Sequence, residues 1–192
     1  APAYKVNTAA GETGDRVIER TLGCFAAASN VVDFHRPWSY CCCNNNGAQG
    51  LYHVWEGIVQ DKGNGTAQIN LLLNRASKLL DIDSYLPYEG KVVVKNKTAK
   101  KVYLRIPLWV SRPEVRCRVG SKSVKPEWFN NYLIFDTLKP GAQIVVEFPV
   151  VERTIQRTVK SIGQTTYTIH LRGNTVMDIS PRTETPAQYR RT

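Results

Sequence analysis

From Asp61 onward the chain changes period from helical spacing to strict alternation, and this constrains its fold more than any other feature. Short runs rich in β-branched and aromatic residues follow one another: Ala67–Leu73, Lys91–Lys95, Val102–Ile106, Val115–Val119, Tyr132–Phe135, Ile144–Phe148, Thr154–Val159, Thr166–Leu171 and Val176–Ile179. Turn signals separate them, among them Tyr88-Glu89-Gly90, Asn96-Lys97-Thr98, Asn130-Asn131 and Lys139-Pro140-Gly141. Such runs, with no helix between them long enough to cross over, predict antiparallel sheets packed as a β-sandwich. The expected fold class is therefore mainly β.

Alternation also assigns the faces. Val102, Leu104 and Ile106 share one side, with Tyr103 and Arg105 on the other; Ile144, Val146 and Phe148 share one side, with Val145 and Glu147 opposite. These stripes are core, not function. Trp109, Trp128 and Phe129 could make an aromatic platform for a sugar, but aromatics that cap the ends of a sandwich are the commoner use.

Before this region the pattern is helical. Val17, Ile18, Leu22, Phe25 and Ala26 recur at helical steps opposite Asp15, Arg16, Glu19 and Arg20, which predicts an amphipathic helix from about Gly14 to Ser29. Val31–Tyr40 reads as a loop, and Ala48, Leu51, Tyr52, Trp55 and Ile58 again fall at helical spacing. A lone amphipathic helix cannot bury its own stripe, so it packs on the β part or belonged to a larger helical domain. The division expected is a helical segment over residues 1–60 and a β-sandwich region over 61–192.

Of 192 residues, 42% are hydrophobic, a globular composition with no apolar run long enough to span a bilayer. The chain lacks an initiating Met and a signal-like start, so it is expected to be a fragment whose compartment the sequence does not give. The net charge of +10 raises nucleic acid as a partner. The basic residues are scattered over Lys95, Lys97, Lys100, Lys101, Arg112, Arg116, Arg118 and Arg190-Arg191, without a basic helix or a base-stacking motif. Lysines guarding strand edges explain them better. Neither nucleic acid nor membrane is expected as a partner.

Chemistry concentrates at Ser39-Tyr40-Cys41-Cys42-Cys43-Asn44-Asn45-Asn46-Gly47. Neighbouring α-carbons lie ~3.8 Å apart, too close for an unstrained disulfide. With Cys24 and Cys117 the cysteines number five, an odd count that leaves at least one thiol unpaired. At a helix start the helix's positive end would stabilise thiolate. Zinc draws on such ligands, and Asp33, His35, His53 and Glu56 lie nearby in sequence. The paired two-residue gaps of structural zinc sites are absent, so this chain alone is not expected to close one. The competing reading is that the thiols are inert and packed. His35 with Asp33 is more simply a loop contact, His170 a sheet residue, and Glu19 and Glu56 helix ion-pair partners.

The same residues resemble a known family. Cys42-Cys43-Asn44-Asn45-Asn46-Gly47 looks like the Cys-Cys-x-x-Asn signature of the bacterial β-L-arabinofuranosidases of glycoside hydrolase family 127 and their relatives. Gly14–Leu22 resembles the helix preceding that motif, Leu104-Arg105-Ile106-Pro107-Leu108-Trp109 resembles the family's Leu-Arg-Ile-Pro-x-Trp strand, and Gly173-Asn174-Thr175-Val176 fits the later sandwich. The family places an (α/α) barrel before its β-sandwich domains, so the helical segment would be the barrel's end.

By that resemblance Cys42 is the nucleophile and a zinc ligand, and Cys43 a second zinc ligand. The substrate would be an oligosaccharide or glycoside, hydrolysed with retention, and the partner an upstream helical catalytic domain. The family's Glu-x-Cys ligand motif and its acid/base glutamate have no counterpart here; Glu12-Thr13-Gly14 lacks the cysteine, and Gln49 stands where relatives commonly have Arg. The isolated chain is therefore expected to hold half an active site and to be silent. The alternative is a non-catalytic β-sandwich module that binds carbohydrate or packs on a partner domain.

Overall fold

Two-residue periodicity produces strands where the sequence places it, as seen in the computed structural model, which describes residues 41–159 and 164–181, with side chains from residue 45. The chain divides into two units, Ala1–Tyr52 with Pro181–Thr192, and His53–Ser180. The helix expected over 14–29 lies outside the described residues, as do Cys24, Asp33, His35 and the Arg190-Arg191 tail.

One α-helix, α1 (Cys41–Gly57), leads into β1 (Val59–Asp61), β2 (Thr66–Ile69), β3 (Arg75–Ala76), β4 (Leu80–Ser84), β5 (Lys91–Asn96) and β6 (Lys101–Arg105). Then come β7 (Arg116–Val119), β8 (Lys122–Val124), β9 (Trp128–Phe129), β10 (Tyr132–Phe135) and β11 (Gln143–Glu147). The chain continues with β12 (Glu152–Val159), β13 (Thr165–Arg172) and β14 (Thr175–Ser180). A 3₁₀ turn at Arg112–Glu114 precedes β7.

Strands β1 to β11 make the expected sandwich. A five-stranded sheet runs in the order β1-β2-β6-β10-β9 and a six-stranded sheet in the order β3-β4-β5-β11-β7-β8. Their inner faces supply one core: Ala67, Ile69, Val102, Leu104 and Leu133 from the first sheet pack with Leu80, Ile82, Val92, Val94, Ile144 and Val146 from the second. Several of these are wholly buried, and burial of such side chains contributes roughly 1.5–3 kcal/mol each. The faces agree with the alternation of the sequence: Leu104 is fully buried, whereas Arg105 beside it is exposed.

One pairing departs from a purely antiparallel arrangement. β2 and β6 run parallel, with Ala67 opposite Val102 and Ile69 opposite Leu104. No helix makes the crossover; the chain leaves the first sheet after β2, builds β3, β4 and β5 in the second, and returns. A sandwich supplies through its second layer the connection that α/β proteins supply with a helix.

The third sheet, β12-β13-β14, is antiparallel and separate. The β12–β13 ladder runs one residue further at Gly173, whose N–H donates to the Val151 carbonyl at 2.8 Å. Gly173 has φ +58°, and a Cβ there would stand 3.0 Å from the Trp109 ring. Trp109 packs edge-on to Phe148, with ring centroids 5.7 Å apart.

The turn from β1 to β2 shows why its sequence reads as a breaker. Gly63, Asn64 and Gly65 all adopt positive φ, at 80°, 52° and 74°. The Gly63 N–H donates to Asp61 Oδ1 at 2.8 Å. Glycine and asparagine tolerate that backbone region where other residues strain.

Candidate functional site

Helix α1 carries the cysteine motif. The expected helix began near Ala48, after the asparagines; the observed one begins at Cys41 and takes Cys42, Cys43 and Asn44-Asn45-Asn46-Gly47 into its first turns. Asn45 and Asn46 are exposed. A solvated asparagine on a helix costs less than about 1 kcal/mol, too little to stop a helix already running through Leu51–Trp55. Cys42 and Cys43 thus share the helix's N-terminal turn.

The other end of α1 is fixed by side chains that the sequence reading did not single out. Asn70 directly follows β2. Its Nδ2 donates to the Gly57 carbonyl at 2.9 Å, and its backbone N–H donates to the Ile58 carbonyl at 2.9 Å. The first bond satisfies a carbonyl that a helix end leaves without an intrahelical partner, and the second continues the β1–β2 ladder by one residue. Asn70 Oδ1 in turn accepts from the Tyr132 hydroxyl at 3.0 Å and from Gln68 Nε2 at 2.7 Å. Gln68 Nε2 also reaches the Tyr132 hydroxyl at 3.3 Å. Tyr103 stands edge-on to Tyr132, with centroids 6.5 Å apart. Ile58, immediately after the helix, is buried in the sandwich core.

A second fastening lies beside it. The Arg75 guanidinium sits 3.2 Å from the centre of the Trp55 ring, a stacked geometry suited to cation–π attraction. Between them, Asn70 and Arg75 draw the last turn of α1 onto β2 and β3. The only sequence signal for this is a polar residue inside the apolar run Ala67–Leu73, which does not distinguish a cap from an outward strand position.

The remaining candidates are dispersed. His53 Nδ1 and Glu56 Oε2 lie 4.0 Å apart on α1, both exposed, as an i,i+3 pair. His170 on β13 meets the Thr154 hydroxyl at 3.0 Å and stands opposite Asp178 in register, a sheet residue as its sequence context predicted. Cys117 is buried in the core, and burial pushes its thiol up to about 11, so it stays protonated. Of the aromatics, Trp109 and Trp128 pack against the core, Arg112 covers the Trp128 ring at 4.9 Å, and Phe129 is exposed.

Edge protection does not account for the lysines near residue 100: Lys95 lies on β5 and Lys101 on β6, both inner strands, and Lys97 directly follows β5. Lys95 pairs with Asp83 at 2.7 Å, Lys97 with Asp81 at 2.6 Å, and Lys101 with Asp136 at 2.7 Å. Among the described residues no helix is long and apolar enough to cross a membrane.

Zinc suits thiolate donors, and the resemblance assigns it to Cys42 and Cys43. Among the described residues, however, no group of three or more His, Cys, Asp and Glu side chains could hold a metal ion. His53 and Glu56 pair with each other instead. The side chains of Cys42 and Cys43 lie outside the described ones, which begin at residue 45.

Fold and site together define a β-sandwich entered from a cysteine-bearing helix. No protein-family model matches the sequence, and no curated protein matches it. Solved structures share the fold. Over 72% of its length the chain matches the GH127 β-L-arabinofuranosidase Ara127N of Geobacillus stearothermophilus T6, at 16% identity, a TM-score of 0.57 and 24% coverage of that chain. A second GH127 β-arabinofuranosidase matches over 73%, at 20% identity, a TM-score of 0.59 and 26% of its own length. A further glycoside hydrolase matches over 79%, at 18% identity, a TM-score of 0.56 and 28% of its own length. The chain spans about a quarter of each of these structures, and at such identity the likeness is one of fold. The family whose motifs Cys42-Cys43 and Leu104–Trp109 resemble is the family whose fold the chain shares.

Proposed function

We propose that the chain is the C-terminal portion of a retaining glycoside hydrolase of the arabinofuranosidase type, with Cys42 as nucleophile, and that it is catalytically silent alone. The observation that supports this most is the agreement of two independent likenesses. The fold matches GH127 structures, and the cysteine pair stands on the helix that enters that fold. In this reading residues 1–60 end a barrel-like catalytic domain and residues 61–192 form its sandwich region.

The chemistry assigned to Cys42 is a double displacement. Its thiolate sulfur forms a bond to the anomeric carbon of a glycoside while the bond to the leaving oxygen breaks, and that oxygen takes a proton from a general acid. Water then attacks the same carbon while giving up a proton to the carboxylate left by the general acid, the carbon–sulfur bond breaks, and the sugar leaves with its configuration retained. Cys43 and Cys42 would hold zinc, which when bound keeps sulfur deprotonated. The remaining metal ligands and the acid/base carboxyl would come from an upstream domain.

Two measurements test the reading. This 192-residue chain should leave an aryl arabinofuranoside unhydrolysed, whereas the longer hydrolase should release the aryl group and lose that activity on Cys42→Ser. Turnover by the chain alone that disappears on Cys42→Ala would refute the half-site reading. Full activity of the longer enzyme after Cys42→Ser would refute the nucleophile assignment.

A further inference from the structure

The outward face of the five-stranded sheet carries rings and polar groups that the packing of the core does not explain. Strand pairing sets them out in rows. Phe129 on β9 stands opposite Tyr132 on β10, and Tyr132 stands opposite Arg105 on β6. Ile69 stands opposite Leu104, which brings Asn70 level with Arg105 and completes a row of ring, ring, guanidinium and amide. Tyr103 and Gln68, opposite each other, begin the next row. Paired residues share a face, and these six lie on the side away from Ile69, Leu104 and Leu133, which are fully buried. The whole set belongs to the His53–Ser180 unit.

Part of this face is held in place by its own contacts. Tyr103 braces the Tyr132 ring edge-on, with centroids 6.5 Å apart. The Tyr132 hydroxyl donates to Asn70 Oδ1 at 3.0 Å and lies 3.3 Å from Gln68 Nε2. A side chain fixed at both ends loses little further freedom when a ligand lands on it, a loss that otherwise costs about 0.5–1.5 kcal/mol. Beside it, Phe129 is 60% exposed and Arg105 is exposed with five N–H donors.

Rings set next to fixed polar groups suit a saccharide. The C–H face of a sugar lies on an aromatic ring, while the hydroxyls at its rim donate and accept hydrogen bonds. Three inter-strand steps of ~4.8 Å make the first row roughly 14 Å long, the reach of about two or three sugar rings. A docked helix needs a groove lined by apolar side chains, whereas a guanidinium and an amide fill half of this row.

We propose that this face is an oligosaccharide-binding site, with Phe129 and Tyr132 as the stacking surface and Arg105 as the donor to sugar hydroxyls. The choice of a sugar rests on the reading of the chain as part of a glycoside hydrolase. The binding itself needs no cysteine and no turnover.

The test follows the backbone amides of the isotope-labelled 192-residue chain by NMR while arabinotriose, xylotriose or cellotriose is added. At least one of these probes should shift the amides of Tyr103, Arg105, Phe129 and Tyr132 together, with a millimolar Kd. Phe129→Ala and Arg105→Ala change exposed side chains and should leave the thermal midpoint in place, yet each should weaken binding at least about fivefold. Tyr132→Phe keeps the ring and loses its two hydroxyl contacts, and should weaken binding by about twofold.

No shift on this face with any of the three sugars would overturn the proposal, and so would binding that Phe129→Ala and Arg105→Ala leave at full strength. Shifts of the same amides with protein concentration alone would assign the face to a second copy of the chain and overturn it too. A Phe129→Ala effect seen in this chain and absent from the longer hydrolase would put the upstream domain on the face, with the same consequence. Retained activity of the longer hydrolase after Cys42→Ser would remove the nucleophile assignment and leave the sugar titration as it stands, so the two failures are distinguishable.

Discussion

Gly90 and Phe148 are in backbone contact: the Phe148 N–H donates to the Gly90 carbonyl at 2.8 Å, and a Cβ on Gly90 would overlap the Phe148 carbonyl oxygen. The contact joins the residue before β5 to the residue after β11, two strands that pair along their length. Gly90→Ala should therefore cost about 2–3 kcal/mol, since a backbone group cannot swing aside as a side chain can. Chemical denaturation should show a lower midpoint with an unchanged slope; an unaltered midpoint would mean that the β5 and β11 backbones separate freely.

Asn96 is the one buried polar residue among the described ones, and its side chain is engaged at both ends. Nδ2 donates to the carbonyls of Ala99 and Lys139 at 2.8 and 2.9 Å, and Oδ1 accepts from the Ala99 N–H at 3.0 Å. Asn96→Ala would strand the buried N–H and carbonyl of Ala99, at about 1–3 kcal/mol. Equilibrium unfolding checks this, and a loss under about 1 kcal/mol would mean that water enters to replace the amide.

The sandwich should be stable on a broad plateau of pH with two electrostatic edges. The hydrogen bond from Lys97 holds Asp81 below its ordinary value of 3.8, and the one from Lys101 does the same for Asp136. Carboxylates lowered in the folded state stabilise it above their unfolded value and lose that contribution as pH falls through the folded one. Lys95 and Lys101 are raised above 10.5 by Asp83 and Asp136, so their contributions are present below that value and disappear as pH rises through the folded one. Thermal midpoints should fall in acid below about pH 4 and in alkali above about pH 10. Asp81→Asn should flatten part of the acid edge, and these exposed pairs should weaken in salt.

Cys117 should be inert in the folded protein. It is buried, and its thiol is pushed up to about 11 by desolvation. At pH 8 a haloacetamide should leave it unmodified until denaturant is added. Modification in the absence of denaturant, at a rate resembling a free thiol, would show that the core opens readily between the sheets.

Legibility in the sequence followed burial. Val102 and Leu104 alternate with less buried residues because one face of β6 meets the opposite sheet, so β6 could be read directly, whereas β11 buries Val145 as well as Ile144 and Val146. β4 escaped notice although Leu80 and Ile82 alternate correctly, because Asp81 and Asp83 are poor strand residues in isolation. In the fold they are supported across the pair by Lys97 and Lys95, partners that lie more than ten residues away and carry no local signal. The two-residue strands β3 and β9 are too short for a period to show. The cysteine motif was visible by composition alone. Its placement inside a helix was not, since asparagine clusters usually mark helix ends. The Asn70 fastening depends on strands from distant parts of the chain and could not be read locally.

The parallel pairing of β2 with β6 limits how this protein can be divided. Because the intervening strands belong to the opposite layer, a cut anywhere between Ile69 and Lys101 leaves each piece with an unpaired inner strand and half of a hydrophobic interior. Neither half can be expected to fold. The smallest piece that closes both layers runs from Ile58 to Phe148, and anyone trimming the chain for crystallisation or grafting should place the ends there.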